Sequence, residues 1–446
     1  MLMVKLPARK WIVSILIAVL TLGIFAAVYN YTLPRPIELR ILHTHPGATT
    51  DAMVDEVVNG FKKWYQGIYG QAIRVEVIRT DPQTAYRKAV VILRPDAEIW
   101  WGGLLSLLEK AYEGLLPYNS TYKGGINATS YPLMDLHDST PQWYAASLTG
   151  IGVMYNEQAL QRLNLSAPKR WIDLLEEGYE GKIAMVDPAK SELTSPLIST
   201  MIQSKNWTGG WEYLVRLSAL IGRYDENEVE STLKVASGFM PLAVIPDFYA
   251  YDKITVYPPG IDFTYLDAAI VQPDPVAIIK RGRYLDEAKA FMDFILSQEG
   301  QNIIGRYRLP IRGDVTPSHP RINPFAPDFP HIQSYNKTLE EIIKNYYQVW
   351  ISERRGQIKD AWKEIKEANR TKHLNENATH LYDLAWSNFT YAGYNMTSDQ
   401  LDKVYTDTKS WTEDMDSYLS KWRTASENAY SDAIQNARKS KEAAKE

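Results

Sequence analysis

The stretch from residue 37 to 101 alternates between strand-like and helix-like sequence, and this alternation restricts the fold more than any other feature. Residues 37–42 alternate apolar and polar side chains, residues 53–65 repeat apolar side chains at helical spacing, and residues 73–78 return to a strand pattern. A helical stretch and a strand at 97–101 follow. The order β-α-β-α-β predicts an α/β lobe with a largely parallel sheet, whose ligand sites lie beyond the carboxyl ends of the strands.

A second region of the same kind follows, and the last third of the chain differs from both. The strand-like segments of the second region are 150–154, 181–186 and 240–245, and a strand pair at 266–279 returns toward the first. Beyond residue 333 the sequence becomes charged and helical with periodic Tyr and Trp, which is typical of a packing surface. The predicted boundaries are 37–142 with 266–333 for lobe 1, 143–265 for lobe 2, and 334–446 for a C-terminal helical extension.

The N-terminal segment has the pattern of a membrane anchor. Lys5, Arg9 and Lys10 precede residues 11–29, an uncharged and mostly apolar run that approaches the length of a bilayer span. The chain contains no cysteine, so a lipidated cysteine, disulfides and thiolate metal sites are excluded. We predict that residues 1–32 form a cytoplasmic start and a retained transmembrane anchor, with the remaining chain outside the cell. The alternative is a cleaved signal segment, for which residues 25–28 offer only a poor small-residue cleavage site.

Glycosylation sequons support the same side of the membrane. Ten N-x-S/T sequons without an intervening proline occur from the anchor to the C-terminal region, and an accumulation of this kind indicates an extracellular glycoprotein. An archaeal surface protein would fit both signals. The candidate residues are Asn30, Asn119, Asn127, Asn164, Asn206, Asn336, Asn369, Asn377, Asn388 and Asn395.

Charge and motifs argue against two broad classes of function. The net charge of −4 provides no basic field for a nucleic-acid backbone, so nucleic acid is not an expected partner. The sequence contains no G-x-S-x-G, H-E-x-x-H or G-x-x-x-x-G-K-[ST] motif. We therefore predict that the protein is not an enzyme, has no catalytic residues, and requires no cofactor and no resident metal.

Two strand-end loops of lobe 1 are candidate ligand-binding segments. The loop 43–50 joins the first strand to the first helix, where free backbone N–H groups, hydroxyls and an imidazole favour an anion, and it contributes Thr44 and His45. The loop after the third strand contributes Trp101, as an apolar wall, and Gly102, where the backbone can approach a ligand.

Two segments of lobe 2 are the matching candidates. The loop 187–195 lies between a strand and a helix, and its hydroxyls on Ser191 and Thr194 suit either helix capping or the binding of phosphate or carboxylate oxygens. The segment 246–251 ends another strand and contributes Asp247, Tyr249 and Tyr251. The two tyrosines share one face only if this segment is extended, because in a helix they diverge.

Six short motifs occur along the chain in a fixed order. They are PDAEIWWGG at 95–103, GIGVMYN at 150–156, PKRWIDLL at 168–175, YEGKI at 179–183, DPA at 187–189 and AKAFMDFILSQEGQ at 288–301. In this order they resemble the iron(III)/phosphate-ester branch of the ABC-transporter solute-binding proteins of bacteria and archaea. The resemblance covers about residues 37–311, and the helical extension lies outside the usual pattern of that family.

The resemblance implies a type 2 periplasmic-binding fold and a function in uptake. Two α/β lobes would close on a small ligand and present it to an ABC permease in the membrane. An organic anion, such as a phosphorylated or phosphonate compound, is the favoured ligand. The alternative is a ferric receptor, since iron-binding members use a histidine and two adjacent tyrosines. His45, Tyr249 and Tyr251 would fill those positions, although Ala250 separates the two tyrosines here.

Two rival functions remain open from the sequence. An extracellular hydrolase on the same anchor would need a pair of catalytic carboxylates or a metal site in the cleft, and turnover would reveal it. A structural protein of the cell surface, suggested by the sequons and the helical extension, would bind no specific small ligand. Neither rival accounts for the ordered motifs.

Overall fold

The structure is a computed structural model, and it leaves most of the predicted anchor undescribed. It describes residues 19–21, 37–44, 48–103, 105–125, 136–137, 140–191, 193–254, 256–257, 259–267, 270–317, 340–390, 398–409 and 414–446. The prediction for residues 1–32 therefore lies outside the described residues, except at 19–21. Over the ranges given above, no helix is both long enough and apolar enough to cross a membrane.

The described strands form one mixed sheet with two parallel halves. The order of its main path is β2-β1-β3-β9-β4-β7-β5-β6, and β8 pairs with β4. β1 is parallel to β2 and β3, and β5 is parallel to β6 and β7, as βαβ units require. The strands are β1 (Ile37–His43), β2 (Ile73–Arg79), β3 (Ile99–Trp101), β4 (Trp143–Asn156), β5 (Ile183–Val186), β6 (Ile221–Asp225), β7 (Leu242–Pro246), β8 (Ile261–Thr264) and β9 (Ile270–Ile278).

Helices connect the strands and make up the extension. Those of the two lobes are α1 (Ala48–Tyr69), α2 (Pro82–Val90), α3 (Leu105–Lys110), α4 (Glu157–Arg162), α5 (Pro196–Ser204), α6 (Asn206–Leu220), α7 (Glu228–Ala236), α8 (Asp247–Ile254), α9 (Leu285–Leu296) and α10 (Gln298–Ile304). Those of the extension are α11 (Glu340–Trp350), α12 (Arg355–Thr371), α13 (Glu376–Thr390), α14 (Ser398–Lys409) and α15 (Met415–Ala443). The α/β class predicted from the strand–helix alternation is confirmed.

Two long antiparallel strands, β4 and β9, run from the core of lobe 1 into the core of lobe 2. On β4, Leu148 packs in the core that contains β1 and α1, whereas Ile151 packs in the core that contains α5 and α6. On β9, Val276 packs in the core of lobe 1 and Ile270 packs in the core of lobe 2. The lobes therefore meet within the strands, near residues 149–150 and 271–275, a few residues beyond the boundaries expected from the sequence.

The helical extension shares the hydrophobic core of lobe 2. Trp211 of α6 packs against Tyr346 of α11 with ring centroids 4.9 Å apart, and Tyr346 packs against Trp422 of α15 at 5.0 Å. All three belong to one continuous buried cluster that also contains strand residues of lobe 2. The extension is therefore built onto lobe 2, because separating the two would expose large aromatic surfaces.

The sequons that the structure describes lie mainly on the surface. Asn388 is half-buried, and the exposed ones are Asn119, Asn164, Asn206, Asn369 and Asn377. The other four, Asn30, Asn127, Asn336 and Asn395, lie outside the described residues. Glycosylation stays a prediction.

We expect Gly152→Ala to destabilise the fold at the junction of β4 and β8. A Cβ at Gly152 would lie 2.3 Å from the backbone oxygen of Thr264 and 2.6 Å from the ring of Phe263. Because backbone cannot yield as a flexible side chain does, the free energy of unfolding should fall by about 1–3 kcal/mol. Urea denaturation measures this change.

The matched control is Gly67→Ala in α1, where a Cβ meets nothing within 4 Å. Alanine has the better helix propensity, so this variant should be neutral or slightly more stable. Equal effects of the two substitutions would contradict the close approach of β8 to β4.

Candidate functional site

Thr44 and Gly102 meet at the carboxyl ends of β1 and β3. The backbone N–H of Thr44 donates to the carbonyl oxygen of Trp101 at 3.1 Å, and the N–H of Gly102 donates to Pro275 on β9 at 2.7 Å. Gly102 and Gly103 have φ values of 93° and 100°, which a side chain would oppose. Thr44 and Gly102 therefore lie at the same edge of the sheet, and their role in ligand binding stays a prediction. His45 lies outside the described residues.

Trp101 does not form an apolar wall of the cleft, so this part of the prediction is wrong. Its side chain is fully buried in the core of lobe 1, 5.6 Å from the ring of His43 and 6.1 Å from that of Phe291. Trp100 is buried in a second cluster on the opposite side of the strand. β3 is covered on both faces, as inner strands of α/β sheets are, so both rings pack in hydrophobic cores.

The loop 187–195 of lobe 2 folds around Ser191. The Ser191 hydroxyl accepts from the backbone N–H groups of Leu193 at 3.2 Å and Thr194 at 3.3 Å, and it donates to the buried carboxylate of Glu228 on α7. Thr194 is fully buried, and its hydroxyl has no hydrogen-bond partner in the structure. A buried hydroxyl without a partner is costly, which makes Thr194 a candidate contact for a bound ligand.

Asp247 lies at the start of α8 and is fully buried beside β4. The Tyr265 hydroxyl donates to its Oδ2 at 2.8 Å. A Cβ at Gly150 would lie 2.4 Å from the Tyr265 ring and 3.4 Å from Asp247 Oδ2. Gly150 is the first residue of the motif GIGVMYN on β4. Because it has no side chain, Tyr265 and Asp247 can pack directly against this strand.

Tyr249 and Tyr251 lie on a helix, where their side chains diverge. Tyr251 is buried against Phe263, with ring centroids 5.7 Å apart, in a small core under α8. Burial and the nearby Glu228 carboxylate raise the pKa of Tyr249 to about 12, against the opposing effect of Arg308. The two tyrosines of the ferric alternative therefore do not share one face of this segment.

Arg308 connects the two lobes and was missed in the sequence analysis. Its guanidinium donates to the Thr149 hydroxyl on β4 and to the Thr50 hydroxyl on α1, both at 3.0 Å. It also stacks 3.5 Å above the ring of Phe248 on α8. The side chain is 1% exposed, so a permanent positive charge is buried where β4 crosses between the lobes.

No sequence pattern identified Arg308 because its partners are distant in the chain. Thr50 lies 258 residues away and Thr149 lies 159 residues away. Gln272 on β9 was missed for the same reason, although its side chain donates to the carbonyl oxygen of Leu193 at 3.3 Å. The one available signal was the position of Arg308, which follows α10 near the end of residues 37–311, the region that resembles the solute-binding proteins.

The assembled groups suit an anion that carries hydrogen-bonding oxygens. A buried guanidinium, hydroxyls from both lobes and the N-terminus of α1 favour negative charge at the crossing point. In the described part of the chain, no three His, Asp or Glu side chains are grouped as metal ligands.

Comparison with known proteins finds sequence relatives for about half of the chain. Residues 111–330 match the family model described as bacterial extracellular solute-binding protein. The phosphoglycerate transport regulatory protein PgtC of Salmonella typhimurium is 26% identical over 237 residues, which is 50% of this chain and 57% of the relative. The chain thus spans little more than half the length of this curated relative. These comparisons give no support to an archaeal source.

Solved structures share the fold with low sequence identity. The periplasmic binding protein AfuA of Actinobacillus pleuropneumoniae, with fructose-6-phosphate bound, is 20% identical with a TM-score of 0.54, covering 71% of this chain and 98% of AfuA. Iron-bound HitA of Pseudomonas aeruginosa is 19% identical with a TM-score of 0.53, covering 69% and 98%. The two-lobed type 2 periplasmic-binding fold expected from the motifs is confirmed.

We expect Tyr265→Phe to cost about 1–3 kcal/mol of unfolding free energy, because it removes a hydrogen bond to a buried carboxylate. The control is Tyr155→Phe, whose hydroxyl donates to Asp262 at 3.4 Å in an exposed position. That variant should change stability by less than about 0.5 kcal/mol. Chemical denaturation of both proteins measures the difference, and equal losses would argue against a structural role for the Tyr265–Asp247 pair.

Proposed function

We propose that this chain captures a small organic anion outside the cell and delivers it to an ABC importer, since residues 111–330 match the family model of the bacterial extracellular solute-binding proteins. The observation that carries the proposal is Arg308. It is a buried cation that binds hydroxyls of α1 and β4 and stacks on α8, so it lies where both lobes can hold one ligand.

Closure of the lobes would convert ligand binding into a signal for the permease. A ligand that contacts Thr44 and Gly102 from lobe 1, and Ser191 and Thr194 from lobe 2, stabilises the closed arrangement more than the open one. β4 and β9 are the segments that would bend, since both run through the two cores. The permease would then recognise the closed pair of lobes.

An organic anion suits the site better than ferric iron does. By name PgtC is a phosphoglycerate transport regulatory protein, AfuA holds fructose-6-phosphate and HitA holds iron, so likeness alone favours neither ligand class. A buried guanidinium repels a bare cation and pairs with phosphate or carboxylate oxygens.

We also propose that residues 11–29 anchor the protein in the cell membrane, with the sequons outside. The support is the uncharged run behind Lys5, Arg9 and Lys10. Retention of the full chain in alkali-washed membranes would agree with an anchor. Quantitative release of the protein in that wash would contradict it.

The first experiment is a thermal-shift screen with 3-phosphoglycerate, fructose-6-phosphate, inorganic phosphate and ferric iron. We expect at least one phosphate compound to raise the melting temperature, because a ligand at 100 times its Kd stabilises the native state by about 2.7 kcal/mol. Arg308→Gln should weaken this ligand about 10- to 100-fold, as expected for a lost charged hydrogen bond of about 1.5–3 kcal/mol.

The matched control is Arg306→Gln, which removes a half-exposed arginine paired with Glu56 at 3.0 Å. It should bind the ligand as the wild type does. Ser191→Ala and Asp247→Ala should weaken binding while the proteins remain folded. A shift with ferric iron alone would favour the ferric receptor, and no shift with any compound would favour a structural surface protein.

A further inference from the structure

The C-terminal extension contacts the first residue of the lobe-2 ligand loop. The Ser352 hydroxyl, between α11 and α12, donates to Asp187 Oδ1 at 2.8 Å. The guanidinium of Arg355, the first residue of α12, forms an ion pair with Asp187 Oδ2. Asp187 is only 2% exposed, so two side chains of the extension neutralise and orient a buried carboxylate.

Asp187 in turn shapes the loop that carries Ser191 and Thr194. Its Oδ1 accepts from the backbone N–H of Ala189 at 3.1 Å. Its carbonyl oxygen accepts from the N–H groups of Lys190 at 2.8 Å and Ser191 at 2.9 Å. The turn that places the Ser191 hydroxyl therefore begins at a residue whose side chain is held by the extension.

Arg355 is itself fixed by an aromatic contact with the sheet. Its guanidinium stacks 3.5 Å from the ring centroid of Tyr224 on β6, and the Tyr224 hydroxyl donates to Ser218 on α6 at 3.1 Å. Tyr224 is the register partner of Met185 on β5, the strand that leads directly into the loop. Arg355 is thus held between the extension and the strands that present the loop.

We propose that Arg355 is a positioning residue for the ligand loop 187–195, and that the C-terminal extension is an integral part of the lobe-2 ligand site. This proposal rests on the proposed function, in which the loop 187–195 contacts the ligand. It differs from the expectation of a packing surface, because the extension contacts the loop itself and not only the hydrophobic core behind it.

A test that needs no ligand is hydrogen exchange in the ligand-free full chain. Arg355→Gln removes the charge that pairs with Asp187, and the amides of Leu193 and Thr194 bond to Ser191 within the affected loop. We expect these amides to exchange about tenfold faster or more, because local opening becomes easier. The amides of β7 should keep their protection. Arg355→Lys should restore part of the effect.

The matched control is Arg438→Gln, which removes a mostly exposed arginine of the extension paired with Glu364 at 3.0 Å. Its loop amides should exchange as in the wild type. Ser352→Ala is a milder variant, and it should change the loop in the same direction even where Arg355→Gln fails to fold. Loop amides that exchange at the wild-type rate in both Arg355→Gln and Ser352→Ala would overturn the proposal. A uniform loss of protection across lobe 2 would also overturn it.

Binding of 3-phosphoglycerate and inorganic phosphate separates this proposal from the proposed function. For a phosphate compound that the wild type binds, we expect Arg355→Gln to weaken binding about tenfold or more and Arg438→Gln to leave it unchanged. Unchanged binding in Arg355→Gln would overturn the positioning role. Failure of the wild type to bind 3-phosphoglycerate, fructose-6-phosphate and inorganic phosphate would contradict the organic-anion assignment, while the exchange measurement would still decide the role of Arg355.

Discussion

The pairing of β4 with β9 is the interaction on which the rest of the structure depends. The two strands are antiparallel from Trp143 to Ile151 on β4, and they carry side chains into the cores of both lobes. The parallel halves of the sheet attach to opposite sides of this pair, β3 to β9 and β7 to β4. The carboxyl ends of both sets of strands therefore face the place where β4 and β9 cross between the lobes, and Arg308 lies there.

The sequence was informative where local pattern decides structure. Strand–helix alternation predicted the α/β class, and Thr44, Gly102, Ser191 and Thr194 do lie after strands of the sheet, where the strand-end rule expects a ligand site. Their role in ligand binding stays a prediction. The rule failed for Trp101, because a short strand covered on both faces has no side that points to a cleft. Local pattern also left the conformation at Tyr249 and Tyr251 open, and the structure makes that segment helical.

The contacts that complete the site could not be predicted because they join distant parts of the chain. Arg308 reaches Thr50 across 258 residues, and Arg355 reaches Asp187 from a region outside the recognised motifs. Nothing in the local sequence of either arginine distinguishes it from a surface cation. Burial by distant elements makes them different, and burial is a property of the fold rather than of the neighbouring residues.

The attachment of the extension has a mechanical consequence. α15 contains 29 residues and so spans about 43 Å. Its Trp422 and Tyr430 pack on Tyr346 and Trp350 of α11, in the buried cluster that the extension shares with lobe 2. Among the described residues, an exposed ion pair between Lys110 on α3 and Glu341 on α11 joins the extension to lobe 1, and such a pair contributes little energy. Rotation of lobe 2 about β4 and β9 would therefore rotate α15 with it as one rigid body. A few degrees of closure would appear at its far end as a displacement of several ångströms on the outside of the molecule.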